Sequence, residues 1–457
     1  MRVGWRPRVK CRRSCAGDAR TNKTAMQGKK KSRMLEEILN RRNIEKALEQ
    51  VMRNKGAGGV DGMQTDELRD YLNANWQSLR TRILEGSYEP SPVRKVEIPK
   101  PQGGVRMLGI PTVIDRLIQQ AINQWLSPKC EEQFSEQSYG FRPNRNTQQA
   151  VMQAQNYLNE GKVWVIEIDL EKFFDKVSHD RLMYLLSRRI EDKATLKLIR
   201  KYLTSGILEG GMVSQRTEGT PQGSPLSPLL SNIVLDELDK ELEKRGHSYV
   251  RYADDCSIYT QSEASAKRVA ESIIKYIEEK LLLKVNREKT KISRPTESTL
   301  LGFSFFRSTN GWEIRIAEKS VGRITKKVKD ITNRSNGLSE KERIGKIQTM
   351  LVGWVTYYEI AKAKTVMKSL DELVRVRLRI CQWKAWKRPR TRVRQLLKLA
   401  KSKQKAYEWG NSSKGYCRVA HSPILQTTLT NNYYGKRGYV GFYNTYHRKT
   451  GLQGKLF

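Results

Sequence analysis

Acidic residues are almost missing from the two ends of this chain. Residues 1–33 hold twelve Lys and Arg against a single acid, Asp18, and residues 373–457 hold twenty against Glu408 alone. The 339 residues between them carry only +8 of the overall +38. Charge kept for solubility alone would be spread evenly, so two basic ends on a nearly balanced body indicate a polyanionic partner whose phosphates they can track. Cysteine is scarce as well. The six, at positions 11, 15, 130, 256, 381 and 417, form no C-x-x-C pair and no cluster with the four histidines. That excludes a disulfide framework and a zinc site of usual spacing, and suits a reducing compartment. No apolar run is long enough to span a membrane, and the opening 33 residues lack the apolar stretch of a secretory signal. They read as a disordered basic arm or as a start extended upstream of Met34, with an Arg-rich transit peptide as the third reading.

A length of 457 residues suggests two to four domains. Helical spacing begins at Met34 and returns in "TDELRDYLNANWQSLRTRILEG" behind a Thr cap, with the glycine-rich loop "KGAGGVDG" between. "PVRKVEIPKPQGGVRMLGIPT" reads as a hairpin around Pro101–Gly104, and "VIDRLIQQAINQWL" as a helix. "KVWVIEIDLEKFFDKV" is a buried strand running into a turn; two helices follow to about Ser205, and "PLSPLLSNIVLDELDKELEKRG" is a longer one. After "RYADDCSIYT" comes the amphipathic helix "SAKRVAESIIKYIEEKLLL", then strands "KVNREKTKIS", "LLGFSFFRS" and "WEIRI". Beyond about Ala317 the pattern turns helical and basic, as in "SLDELVRVRLRICQWKAWKRPRTRVRQLLKLAK". The expected break between a mixed α/β body and a helical tail lies at 310–317.

The chemistry begins with paired carboxylates. Asp254 and Asp255 sit at the tip of an alternating hairpin, where two like charges a few ångström apart repel by several kcal/mol at an effective dielectric of about 20. Divalent cations relieve such repulsion and take carboxylate oxygens while keeping room for phosphate. Asp169 ends the apolar strand "VWVIEID". If that strand pairs beside the hairpin, Asp169 and Asp254 face one space. Taken alone, an Asp-Asp at a hairpin is a polar turn, and "GTPQGSPLSPLLSN" is a loop with Pro and Gly making its turns.

In order, "IPKPQGGVRMLGIPTVIDRLIQQAI", "SYGFRPNRNTQQAV", "DLEKFFDKVSHDRL", "EGTPQGSPLSPLLSNIVLDELDKEL", "RYADD", "LKVNREKTKI" and "LGFSF" span residues 94–306, followed by "LVGWVTYYEIAKA" and "RLRICQWKAWK". This series resembles the bacterial group II intron-encoded reverse transcriptase/maturases. The resemblance implies an α+β right-hand polymerase fold, with fingers and palm on antiparallel sheet, then an α-helical thumb. It divides the chain into an arm (1–33), a finger extension (34–93), fingers and palm (94–310), a thumb/maturase domain (311–405) and a basic nucleic-acid-binding segment (406–457).

The same resemblance implies the site residues. Asp169 and Asp254 would hold two Mg²⁺ ions, with Mn²⁺ as a substitute, aided by Asp255 and the Leu170 carbonyl. Phe174 would exclude a ribose 2′-OH, although beside Phe173 it also reads as a core aromatic. Lys100 and Arg106 would contact the triphosphate, and Gln222 and Gly223 would lie under the incoming nucleotide. Lys289, with Lys291 as the second choice, would protonate the leaving pyrophosphate. Leu301, Gly302 and Phe303 would grip the primer end. Ser224 departs from the usual second glycine. An endonuclease module of HNH type needs His and Cys pairs that are missing, so the likeness is to group IIC-like members, whose DNA primer must come from another source.

The implied partners are the intron RNA, an RNA template with a DNA primer, dNTPs and a DNA target, in a bacterial cytoplasm and off the membrane. Aromatics interleave the basic C-terminal part. Trp383 and Trp386 are expected in the core, and several of the later ones (Tyr407, Trp409, Tyr416, Tyr433, Tyr434, Tyr439, Phe442, Tyr443, Tyr446) are expected exposed for stacking on bases. A retron or diversity-generating reverse transcriptase, or a non-catalytic RNA-folding maturase, is the alternative.

Overall fold

The computed structural model describes residues 32–99, 105–399 and 402–453. The basic arm, apart from its last two residues, and the hairpin tip with Lys100 lie outside them. Helices Arg33–Ile38 and Arg41–Arg53 start where the Ser32 and Asn40 side chains accept backbone N–H bonds from Leu35 and Asn43. Helix Leu68–Glu85 stops at Gly86, whose φ of +76° suits a residue without Cβ.

Strands β1 (Val93–Pro99) and β2 (Val105–Ile110) form the expected antiparallel hairpin, in register from Arg94↔Ile110 to Pro99↔Val105. In the centre of the molecule, β3 (Trp164–Ile168) is the strand that leads to Asp169. A short hairpin unread in the sequence, β4 (Ile207–Glu209) and β5 (Met212–Ser214), joins the first through a parallel β1–β4 pairing, giving the order β2-β1-β4-β5. Its turn, Gly210–Gly211, has both φ values positive, and the strands are too short to show a period.

Strands β6 (Ser248–Tyr252), β7 (Asp255–Thr260) and β8 (Lys291–Ser293) complete a second sheet with β3, in the order β6-β7-β3-β8, every pairing antiparallel. The expected strand "KVNREKTKIS" is thus cut to its last three residues, since Asn286–Thr290 close a hydrogen-bonded turn. Both faces of this sheet are covered. Ile166, Ile168, Cys256 and Ile258 pack into one apolar core with helices such as Ser227–Lys244 and Glu263–Glu279, while Val165, Val250 and Tyr259 pack into another. That second core is shared with the helix Thr147–Asn159, to which the sequence reading gave no element.

The second core continues through the hairpin β9 (Phe303–Ser308) and β10 (Gly311–Ile316) into the basic helices that follow. The helical run read as continuous to Lys401 breaks at Trp386, between Lys364–Ala385 and Pro389–Leu399. Trp383 and Trp386 are buried, as expected. The later aromatics need correction: Tyr433, Tyr434, Tyr439 and Phe442 are buried too, and Tyr407 alone of the nine is fully exposed. The reason is Asp371, which accepts bonds from the Tyr439 hydroxyl (2.6 Å) and the Phe442 and Tyr443 N–H groups (2.7 and 2.9 Å) and folds the last segment back onto helix Lys364–Ala385.

Candidate active site

The turn between β6 and β7 is two residues long. Tyr252 pairs with Asp255, leaving Ala253 and Asp254 at the tip, and Ala253 has a φ of +58° that costs a non-glycine residue strain. A buried network holds it there. Arg251, fully buried, donates from Nη1 to the Ala253 carbonyl (2.9 Å) and to Asn232 Oδ1 (3.0 Å), from Nη2 to Ser138 (2.7 Å), and from Nε to the equally buried Asp239 (2.7 Å). Behind the turn lies Gly140, where an added Cβ would stand 2.2 Å from the Ala253 nitrogen. Sequence reasoning took Arg251 as an ordinary strand residue and overlooked Asp239 and Gly140. The only signal was an arginine in the alternating run, because its partners come from helix and loop segments distant in sequence.

The β3–β7 register ends at Ile168↔Cys256, and one further step sets Asp169 against the hairpin end. The conditional pairing on which the sequence argument turned is therefore present. Period-two alternation puts Glu167, Asp169 and Asp255 on the same side, and their charges are felt. Burial, then the Asp169 carboxylate, pushes the Asp254 carboxyl above its usual range, while Arg106 and Arg251 pull the other way. Asp255 is pushed up to about 6 by burial and by Asp254, Asp169 and Glu167, with Lys289 opposing.

Lys289 Nζ lies 3.4 Å from Asp169 Oδ2, whereas Lys291 is engaged by Glu167 at 2.8 Å. Leu170 bridges Val285 between the bonds Asn286 N–H to Asp169 O and Glu171 N–H to Lys284 O. In an antiparallel ladder this leaves the Leu170 carbonyl directed away from residue 285, to the hairpin side. Among the described residues, no three His, Cys, Asp or Glu side chains close into a cage that would hold a metal unaided. The donor set nonetheless fits a hard cation: mutually repelling carboxylates, a backbone oxygen and open space for substrate oxygens.

That space is a cleft of about 990 Å³ lined by Arg106, Asp169, Leu170, Phe174, Gln222, Asp254 and Lys289. Seven of the sequence-predicted residues therefore share one cavity, and Gly223 lines the adjoining one. Asp255 lines neither. The β1–β2 hairpin is tied in by Arg106 Nε donating to Gln222 Oε1 (3.0 Å) and Gly109 N–H donating to the Gln222 carbonyl (2.9 Å). Gly223, at φ +114°, brings the backbone close to Gly109. Ser224, the departure from Gly, is buried with its hydroxyl on Gln119 Oε1.

Both phenylalanines reach the cleft, but Phe173 is buried in the core whereas Phe174, edge-on to it (centroids 5.3 Å), is only half-buried. Gly219, at φ +82°, lies under the Phe174 backbone, and Thr220 N–H donates to the Phe174 carbonyl at 2.6 Å. Leu301 and Gly302 form a left-handed turn outside this cleft. Phe303 is fully buried against Tyr357 and Tyr358, so its ring anchors that turn from within.

The sequence pattern of the family described as reverse transcriptase (RNA-dependent DNA polymerase) matches residues 98–305, and that of the group II intron, maturase-specific domain matches 321–399. Among curated proteins, the chain is 34% identical over 308 residues to Protein YkfC of Escherichia coli (strain K12), covering 58% of this chain and 81% of that protein. It is 36% identical over 195 residues to the putative COX1/OXI3 intron 2 protein of Saccharomyces cerevisiae, covering 42% of this chain and 22% of that one. It is likewise 36% identical over 195 residues to the group II intron-encoded protein LtrA of Lactococcus lactis subsp. cremoris, covering 42% and 32%. The match thus spans a third or less of the two intron-encoded relatives.

Proposed function

The chain belongs to the group II intron reverse transcriptase/maturase family and is an RNA-directed DNA polymerase, and we propose that it copies RNA at the cleft holding Asp169, Asp254 and Phe174. The observation that carries this reading is the meeting of a strand-end carboxylate, a hairpin carboxylate and an aromatic face in one cavity. A divalent ion is a general requirement of such polymerases. We assign it as Mg²⁺, two ions with Mn²⁺ as a substitute, held by Asp169, Asp254 and the Leu170 carbonyl, with Asp255 supporting. When bound, the ions supply positive charge to the reacting phosphate oxygens of an in-line displacement.

The chain's own groups supply the rest. Arg106 holds the triphosphate as a cation tied to Gln222, and Lys100 is assigned a contact to the same phosphates. Gln222 and Gly223 lie beneath the nucleotide, and Phe174 occupies the place a 2′-OH would need. Lys289, an ammonium beside the Asp169 carboxylate, hands a proton to the departing pyrophosphate. The Leu301–Phe303 turn steadies the primer end. Residues 1–33 serve as a basic arm, 34–93 as finger extension, 94–310 as fingers and palm, 311–405 as thumb and 406–457 as a nucleic-acid-binding segment. The RNA is the intron that encodes the protein, bound so that it splices and then copied toward a DNA target. The setting is the bacterial cytoplasm; no helix among the described residues is long and apolar enough to cross a membrane.

Purified protein given an RNA template, an annealed DNA primer, dNTPs and Mg²⁺ should extend the primer, and chelation should stop it. Absence of product over a range of templates and of Mg²⁺ or Mn²⁺ concentrations would contradict the reading.

A further inference from the structure

Phe141 combines features that folding alone does not favour. Its φ is +59°, a left-handed conformation in which a bulky L residue is strained and glycine is not. Its side chain is 55% exposed, and it belongs to neither apolar core. The strained backbone is pinned from both sides. Gly140 is pressed against the Ala253 nitrogen, and its carbonyl accepts from Asn232 Nδ2 at 2.9 Å. Arg142 is buried, donating from Nε to Glu131 (3.0 Å) and from Nη1 to the Ser138 carbonyl (2.8 Å). Strain that surroundings over-determine beside a reactive group suggests a functional contact.

Phe141 opens on a cavity of about 520 Å³ next to the main cleft. Arg106, Phe174, Gln222 and Asp254 line both and form the wall between them. On the first side stand Lys172, Arg287 and Lys289 together with the acids Asp169, Glu171 and Glu288. On the second, Val51, Leu108, Phe141 and Pro225 stand beside Asn54, Gln120 and Arg116, a less charged lining. A nucleotide across that wall would place its triphosphate among the cations of the first cavity and its base in the less charged second one. We propose that Phe141 is a substrate-contact residue whose ring packs against the base pair at the growing end of the template–primer duplex; this rests on the polymerase reading above.

The test uses Phe141→Gly, which removes the ring and relieves the φ strain together, and Phe141→Tyr, which keeps the ring. Thermal melting, dissociation of a primed RNA template followed by fluorescence anisotropy, and single-nucleotide addition would be measured for each. Phe141→Gly should melt at or above the wild-type temperature. It should bind the primed template at least about fivefold more weakly, the lower end of what base–aromatic stacking contributes, and extend matched and mismatched primer ends more nearly alike. Phe141→Tyr should stay within about twofold of wild type. Unchanged binding and addition by Phe141→Gly would overturn the proposal, and so would losses that track a lowered melting temperature. If wild-type protein binds the primed template without extending it, the polymerase reading fails instead, and the binding comparison still decides the role of Phe141.

Discussion

Asp255 shows, at the scale of one residue, what holding acids together costs a fold. A carboxyl raised to about 6 keeps its proton in the folded chain where the unfolded chain, with an ordinary value of 3.8, has lost it. Stability is therefore drained as pH rises from about 4 to 6, and the full cost stands above 6. In metal-free protein, Asp255→Asn should raise the melting temperature at pH 8, and the gain should shrink as pH falls through 6 toward 4. Added Mg²⁺ should shrink it as well, by relieving the same repulsion in the wild type. Melting curves with chelator at a series of pH values check this, and a variant that melts below wild type at pH 8 would contradict it. The carboxylates were legible in the sequence because the hairpin Asp-Asp is preceded by a strand-end Asp169, a combination that says more than a polar turn does alone. The aromatic proposed to exclude a 2′-OH was half legible: spacing could not choose between Phe173 and Phe174, whereas burial sets Phe173 in the core and leaves Phe174 half-buried.

At the scale of an element, the β6–β7 hairpin is as much the product of what lies behind it as of its own alternation. Strands β6 and β7 were readable from their period, but the strained Ala253 turn depends on Arg251, whose partner Asp239 is on helix Ser227–Lys244. Arg251→Met leaves Asp239 buried and unpaired, and should cost about 3–5 kcal/mol of stability in denaturant unfolding. Adding Asp239→Leu should restore much of that stability yet leave primer extension impaired, since nothing then bonds the Ala253 carbonyl. Full activity in a refolded double variant would show that the turn holds itself. Such tertiary partners have no sequence signature. The same holds for β4 and β5, short strands whose pairing with β1 is set by the fold, and for β8, where turn bonds took residues that propensity gave to a strand.

Across the whole molecule, binding and chemistry are carried by different parts. The charge excess lies at the two ends of the sequence, whereas the acids lie in a nearly balanced middle. Most elements from 94 to 316, though not the helix Thr147–Asn159 or strands β4 and β5, and the basic helices after them could be read from period and charge. The placement of the late aromatics could not, because a tyrosine among lysines looks alike on a surface and in a core until Asp371 is seen drawing the chain back. What that segment offers a polyanion is therefore mainly Lys and Arg, with Tyr407 the one exposed ring among the nine aromatics. Removing one carboxylate from the middle should leave that grip intact. The direct measurement is primer extension on an RNA template by wild type and Asp254→Asn, each with its RNA affinity determined at the same salt. Extension should be abolished in Asp254→Asn while RNA affinity stays within a few-fold of wild type; retained extension by the variant would contradict the assignment of Asp254 to the metal site.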